Sequence, residues 1–525
     1  MRDESARSLV PPPGWLGPAS AERSPLSAGF LALAMLLAAV LRLGGLTRQS
    51  LWVDEIMTWH MVRPDAGLDF LEQVRDSIQG PLYVAVAWPL VRLGDPEMML
   101  RLPAALAGIL TVPLFAAVAV RLLDRRAARL SVLLVAINPF LIWYSQEARG
   151  YAFAVFFGVA MVLGFLRLRE RGVNPADGLL FALASAAVVW SNLSGLFLWA
   201  ALGVTLLVQL PPTWRERSHW ALAFGGGLLA ALPWLLQAAG IWAVDRIVPG
   251  SGTGEALRGG TNLEPLALPY TLFSFFYGFS FGPSLRELHQ PERLAAVRAF
   301  LPWLTVAGLP LLVGGVAGLF SVGRRRWPLL LWVGIPLLCV LVLALRNIKP
   351  WNPRYVAVTV PWIVVLVASG LLRLPRRIGA VLTVVLCSAT LWSLGGYWSD
   401  GRYAKEDLRG AAAWVLQQEM PARPTLVPVV TGAWRFYAGA AAPVRDAFGA
   451  GRLGDAASAD AFVSARLAGT DQAWVVLSRE WELDPHDLLI PALGRQGQLR
   501  LSLQRPGVRV FSWQRHTGAG ARDGG

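Results

Sequence analysis

Two adjacent carboxylates, Asp54 and Glu55, stand in the run Ser50-Leu-Trp-Val-Asp-Glu55, between Trp52 and Trp59. Acids at a helix start are favoured by the helix dipole and tryptophans collect at membrane interfaces, so a plain interfacial helix start accounts for the run. The same residues suit chemistry, because a carboxylate partly desolvated at an interface is pushed toward the working range of a general base. Five cations, Arg101, Arg149, Arg346, Lys349 and Arg354, stand near the ends of apolar runs elsewhere in the chain. Taken singly, each is accounted for as a snorkelling or ion-paired side chain, with Glu147 a ready partner for Arg149. Taken together they fit an anionic head group, since the arginine fork matches phosphate oxygens. A base beside a phosphate cradle is equipment for group transfer from a lipid phosphate.

The elements that must position these residues are membrane spans. Of the 525 residues, 55% are hydrophobic and only 16% charged, against roughly 25% charged in an ordinary soluble domain. Apolar runs at 28–46, 102–120, 130–144, 151–166, 178–193, 195–210, 220–240, 300–320, 328–345, 356–372 and 378–394 predict about eleven spans, several of them short for a hydrocarbon core of about 30 Å. The first run is too long for a signal-peptide core and lacks a clear cleavage site, so it reads as an uncleaved anchor behind a cytoplasmic tail, 1–27. The run 81–93 is too short to cross and is expected to be a juxtamembrane helix.

With eleven alternating spans, Arg121/Arg125/Arg126/Arg129, Arg167/Arg169/Arg171, Arg215/Arg217, Arg324/Arg325/Arg326 and Arg373/Arg376/Arg377 share one face, which the positive-inside rule makes cytoplasmic. The five cations named first then lie on the opposite, outer side, against the rule that orients the rest. The module 28–396 thus carries outer loops 47–101 and 241–299, and the tail 397–525 is extracytoplasmic. In that tail, β-rich stretches at 425–430, 473–478 and 508–513 alternate with helical patterns such as 405–418, predicting a small α/β domain. The charge of +14 sits in clusters between spans rather than on aromatic-interleaved platforms, so nucleic acid is not an expected partner. Cys339 and Cys387 lie inside apolar runs and offer neither a disulfide framework nor metal-ligand spacing.

The stretches Leu51-Trp-Val-Asp-Glu55, Arg101-Leu-Pro-Ala-Ala-Leu-Ala-Gly108, Asn138-Pro-Phe-Leu-Ile-Trp-Tyr-Ser-Gln-Glu-Ala-Arg-Gly-Tyr151, Pro353-Arg-Tyr355 and Lys405-Glu-Asp-Leu-Arg409 resemble glycosyltransferase family 39. That family includes the protein O-mannosyltransferases and the aminoarabinose lipid A transferases, all C-type membrane glycosyltransferases. The resemblance implies a multi-pass bacterial inner-membrane enzyme. Its donor would be a polyprenyl-phosphate sugar and its acceptor a glycan, lipid or protein hydroxyl or amine, attacked on the outer face with inversion. Asp54 would be the general base and Glu55 its support or the orienter of the acceptor. Arg149 and Arg354 would hold the departing phosphate, and Arg101, Glu147, Tyr151, Arg346, Lys349 and Tyr355 complete the candidate binding set.

The sequence departs from the family where many members carry a His-Pro-Pro or Glu-Lys-Pro-Pro stretch: here Ile78 and Gln79 precede Pro81 and Tyr83. A metal ligand sometimes supplied there is missing, so no cofactor is expected, although Asp54, Glu55 and His60 offer ligand atoms for a divalent metal. Asn192 stands where relatives often have a His-aromatic pair and reads either as a sugar contact or as a cap. The glycine-rich piece 249–261 lacks the strand-Gly-helix context of a nucleotide loop and reads as a cover over a site or a mere connector. The aromatic run 271–278 is expected in the interface, and 405–409 reads as a salt-bridged helix or as a means of docking the tail. The rival function is a transporter or flippase of lipid-linked sugars, which would need ionisable residues at mid-bilayer and often duplicated halves. Neither feature is evident in the sequence.

Overall fold

The computed structural model describes residues 25–64, 70, 72, 80–211, 213–241, 266–289, 293–346, 348–420, 423–446 and 452–516. Most of the N-terminal tail, Ile78, Gln79, the glycine-rich piece and residues 517–525 lie outside them. The helices α1 (Ala28–Leu43), α2 (Val53–Val62), α3 (Pro81–Leu90), α4 (Pro96–Leu122), α5 (Arg125–Ile137), α6 (Pro139–Ser145) and α7 (Tyr151–Arg171) open the chain. After them come α8 (Pro175–Ser191), α9 (Gly195–Val208), α10 (Trp214–Ile241), α11 (Ala267–Tyr277), α12 (Arg293–Ser321), α13 (Arg326–Leu345), α14 (Val360–Arg373) and α15 (Arg376–Ser399). Two compact units emerge: Met1–Gly44, Met61–Phe281 and Pro302–Leu394 form the first, and Gly45–His60, Gly282–Leu301 and Gly395–Gly525 the second.

The first unit is a polytopic membrane bundle. Among the described residues seven helices are long and apolar enough to cross a bilayer, or eight if α5 and α6 are one bent span. The shorter apolar helices include α1, α8 and α9, and each of the eleven expected apolar runs falls on a helix. Helix α12 shows how such a bundle divides its surface. Leu309, Leu312, Val316 and Phe320 leave the protein exposed at helical spacing, as a lipid-facing stripe does, while Ala307, Pro310, Gly314 and Gly318 turn inward. A Cβ on Gly318 would run into the carbonyl of Leu366, and one on Gly370 of α14 into that of Gly314, so the two backbones touch. Small residues are what permit that approach, and where lipid tails are as apolar as leucine, such packing is a main source of helix association.

The run 130–144, expected as one span, is two helices bent by 46°. Pro139 has no N–H to give the carbonyl of Val135, and the break frees that of Ala136. Buried Arg42 takes over, donating to Ala136 O at 2.7 Å and Val135 O at 3.2 Å. Asn138 restarts the helix by accepting from Leu141 N at 2.8 Å and ties it to α11 by donating to Phe275 O at 2.8 Å. The aromatic run 271–278 packs against its protein neighbours, Phe275, Phe276 and Tyr277 being buried and Phe140 meeting Phe275 edge-on at 5.1 Å. Aromatic pairing adds to area burial.

In the second unit, α16 (Leu408–Leu416) leads into β1 (Thr425–Val427), α17 (Thr431–Ala438), β2 (Val444–Asp446), α18 (Ala456–Arg466), β3 (Gln472–Leu477), α19 (Leu489–Gln496), β4 (Gly497–Arg505) and β5 (Val508–Arg515). The sheet order is β2-β1-β3-β5-β4, with β1 parallel to both neighbours and β5 antiparallel to β3 and β4. The sheet and the helices on it close over Leu426, Val463, Val475, Leu493 and Trp513. This is the α/β domain expected of the tail. Its strands fall where the β-branched runs lie, with β2 and the edge strand β4 added.

Candidate active site

The dyad belongs to the second unit, at the start of α2. Glu55 reaches back to accept from Trp52 N at 3.3 Å, half of a capping box, which fixes where the helix begins. The approach to it is stitched to residues far along the chain. Leu51 N donates to Tyr437 Oη at 2.6 Å, Ser50 Oγ to Asp407 Oδ1 at 3.3 Å, and Arg409 holds the carbonyls of Thr47 and Arg48 at 3.0 and 2.8 Å.

Glu55 is fully buried, and its partner is Lys405, whose Nζ lies 3.3 Å from Oε2 with 6% of its side chain exposed. Asp54, one residue earlier and so about 100° round the helix, is half-buried. Lys405 Nζ and Arg479 Cζ each lie 5.6 Å from the Trp52 ring, within cation–π range. Burial works against the charge of Arg479, but Glu406, Glu482 and Asp54 outweigh it and hold the guanidinium above its ordinary pKa. Arg479 is therefore a fixed positive charge felt at Asp54. The run 405–409 spends three of its four charges outside its own helix, Lys405 on Glu55, Glu406 on Arg479 at 3.5 Å and Arg409 on carbonyls, while Asp407 caps that helix by accepting from Gly410 N at 2.9 Å. Among the described residues no three His, Cys, Asp or Glu side chains gather as a metal site would need.

The other candidates lie in the first unit, where the run 138–151 divides its labour. Ser145 Oγ donates to Leu141 O, and Gln146 Nε2 caps the end of α1 by donating to Arg42 O and Gly44 O at 3.0 and 2.8 Å. A Cβ on Gly150 would strike the carbonyl of Ser191. These residues hold helices. Glu147 is buried, and Arg149 is half-buried. Arg354 Cζ stands 5.6 Å from the Tyr151 ring and 5.3 Å from that of Tyr355, and Lys349 Nζ is 4.1 Å from the Tyr355 ring. Asn352 caps this turn by accepting from Arg354 N at 3.2 Å. The fold therefore brings Tyr151, Lys349, Arg354 and Tyr355 together, whereas Arg346 is exposed at the end of α13. Arg101 is buried on α4, and Glu97, four residues before it on the same helix face, is buried too. Asn192 accepts from Ser194 N and Oγ at 3.0 and 2.7 Å and so caps a turn.

Sequence reasoning missed Glu97 and Arg42. The signal for Arg42 is an arginine near the C-terminal end of a run otherwise counted as apolar. Gly108 belongs with it, because a Cβ there would meet Ser145 Oγ and Arg42 Nε. Gly108→Ala is expected to cost about 1–3 kcal/mol by overpacking. A lower apparent melting temperature of the purified protein, partly restored by adding Ser145→Ala, checks it.

Residues 79–236 match the model of the family described as dolichyl-phosphate-mannose-protein mannosyltransferase. No curated protein matches in sequence. In fold, the chain is similar to the crystal structure of ArnT from Cupriavidus metallidurans in the apo state, with a TM-score of 0.54 at 15% identity over 92% of this chain and 98% of that one. The same ArnT bound to undecaprenyl phosphate gives a TM-score of 0.51 at 15% identity, covering 93% and 98%. The resemblance first carried by the motifs therefore holds: the chain has the fold of the C-type membrane glycosyltransferases and is similar to their mannosyltransferase family over residues 79–236.

Proposed function

We propose that this chain transfers a sugar from a polyprenyl-phosphate donor to an acceptor hydroxyl or amine on the outer face of a bacterial inner membrane, with inversion at the anomeric carbon. One observation carries the assignment of the base: Glu55 is buried against Lys405, while its neighbour Asp54 is half-exposed beside the fixed charge of Arg479. Protonating Glu55 would break its buried ion pair with Lys405 and strand the amine, so Asp54 takes the acceptor proton and Glu55 holds the loop. The acceptor oxygen or nitrogen attacks the anomeric carbon as the bond from that carbon to the phosphate oxygen breaks. A single displacement inverts the centre. The phosphate leaves as an anion and needs no general acid, since cations suffice to stabilise its growing charge.

Arg149, Lys349 and Arg354 supply that charge, with Arg101 and Glu147 shaping the site and Tyr151 and Tyr355 orienting Arg354. The undecaprenyl phosphate bound to the similarly folded ArnT supports a polyprenyl carrier. The positive-inside arrangement supports outer placement of the loop 47–101 and of the tail.

The test is to incubate purified protein with a synthetic polyprenyl-phosphate sugar and follow release of the polyprenyl phosphate. Movement of intact donor across vesicles without cleavage would instead establish the transporter. Arg354→Ala is expected to lower kcat/KM for donor by about tenfold to a hundredfold, and Arg354→Lys to recover part of it, because lysine keeps the charge but loses the fork. Mass spectrometry of lipid-linked sugars in cells lacking the gene names the donor by its accumulation.

A further inference from the structure

The second unit contains a cleft of about 500 Å³ lined by Trp481, His289, Arg286, Arg505 and Asp487, a volume ordinary for a small-molecule site. Trp481 and His289 stack, with centroids 5.4 Å apart and planes 25° from parallel. His289 Nδ1 lies 2.6 Å from the carbonyl of Leu285. A carbonyl only accepts, so this nitrogen carries the hydrogen and the neutral ring keeps Nε2 as an acceptor. An aromatic platform with an acceptor at its edge suits a sugar ring, whose C–H face is apolar and whose rim is hydroxyls.

The charges of the cleft sort into those already committed and those left over. Arg509 is paired with Glu480 at 2.9 Å, and buried Asp484 accepts from Leu488 N and Leu489 N at 2.8 and 2.7 Å at the start of α19. Arg286 and Arg505 make no ion pair among the described residues, and both line the cleft. The formal charges of the lining balance, but Asp484 is held by backbone N–H groups, and the guanidiniums of Arg286 and Arg505 are left without a carboxylate partner among the described residues. The backbone is shaped to this arrangement. Gly507, at φ +65°, forms the β4–β5 turn, and a Cβ there would press on Arg286 Nη2 at 2.6 Å. Among the described residues, the two non-glycine residues with left-handed φ, Arg479 and Asp487, stand beside the cleft and in its wall. Such strain gathers where a site must be held in one form.

Arg479 also relates the cleft to the candidate base. Its guanidinium lies 5.6 Å from the ring of Trp481 and 5.6 Å from that of Trp52, and Asp54 contributes to its charge balance. We propose that this cleft binds the acceptor, and that the acceptor is a saccharide bearing a carboxylate or phosphate: its ring lies on Trp481 and His289, and its anion on Arg286 and Arg505. This rests on the glycosyltransferase reading, with Asp54 as the base to which the bound acceptor presents its hydroxyl.

Calorimetric titration of the full-length protein in detergent tests it, using a galacturonic acid trisaccharide against neutral maltotriose, and glucose 6-phosphate against glucose. The acidic member of at least one pair is expected to bind about tenfold or more tightly, and Arg286→Ala/Arg505→Ala to erase that difference, as loss of charge-assisted hydrogen bonds does. Trp481→Ala should weaken both members of the pair, and Trp481→Tyr should restore binding if the alanine variant folds poorly. Equal affinity for acidic and neutral probes, no binding of either, or an unaltered preference in the double-arginine variant overturns the proposal. Asp54→Asn should bind the acidic probe as the parent does. Transfer surviving in that variant would sink the catalytic reading while leaving the cleft result standing.

Discussion

Asp54→Asn is expected to cut sugar transfer by about 10²–10⁴-fold, the usual contribution of a positioned general base. Asparagine keeps the size and the helix-start geometry of the half-exposed side chain, so melting temperature and detergent elution should match the parent. The loss should fall on kcat, with donor KM little changed, because the proton moves only as the acceptor attacks. A strongly nucleophilic acceptor that is already deprotonated at neutral pH, such as a thiol analogue of low pKa, should recover part of the rate. An asparagine variant with parental turnover would transfer the role of base elsewhere.

Glu55→Gln should behave in the opposite way. Its carboxylate is fully buried and faces Lys405, itself almost wholly enclosed. Removing one partner of such a pair strands the other charge, at a cost of about 3–5 kcal/mol. The expected result is a fall of order 10 °C in the apparent melting of the C-terminal unit, with protein yield falling in step. Lys405→Met alone should do similar damage, and the double variant Glu55→Leu/Lys405→Met should regain much of what either single change loses, since a buried pair can be exchanged for apolar residues. If the singles melt like the parent, the pair does not hold the loop. The two acids would then share one role, and the division between chemistry at Asp54 and architecture at Glu55 would fail.

What the sequence disclosed followed from local pattern. Apolar runs long enough to cross a bilayer, arginine clusters between them and β-branched stretches in the tail each report on neighbours a few residues away, and the helices and the strands β1, β3 and β5 lie where those patterns stand. Strand β4 also alternates, Leu499, Leu501 and Leu503 against polar neighbours, but it carries none of the β-branched residues that mark β3 and β5. Partners set by tertiary packing were not legible. Lys405 and Glu55 are 350 positions apart, and no spacing rule joins them, so the run 405–409 was credible as a self-contained helix. Pro139 carries a helix-break signal that the single span 130–144 passed over, and only the fold reveals that Arg42, 93 positions before Val135, satisfies the carbonyl it orphans. The run 138–151 similarly looks uniform as text, whereas Ser145, Gln146 and Gly150 serve packing, and Arg354 joins Tyr151 from more than 200 residues downstream.

The tie between Glu55 and Lys405 sets an order on biogenesis. The ribosome delivers the acidic loop when less than an eighth of the chain exists, and the amine that neutralises Glu55 arrives only after some three hundred and fifty further residues have been threaded into the bilayer. Through all that time the loop lacks both Lys405 and the scaffold of α16 and α17. The loop therefore takes its final form only once the chain has been made as far as Lys405.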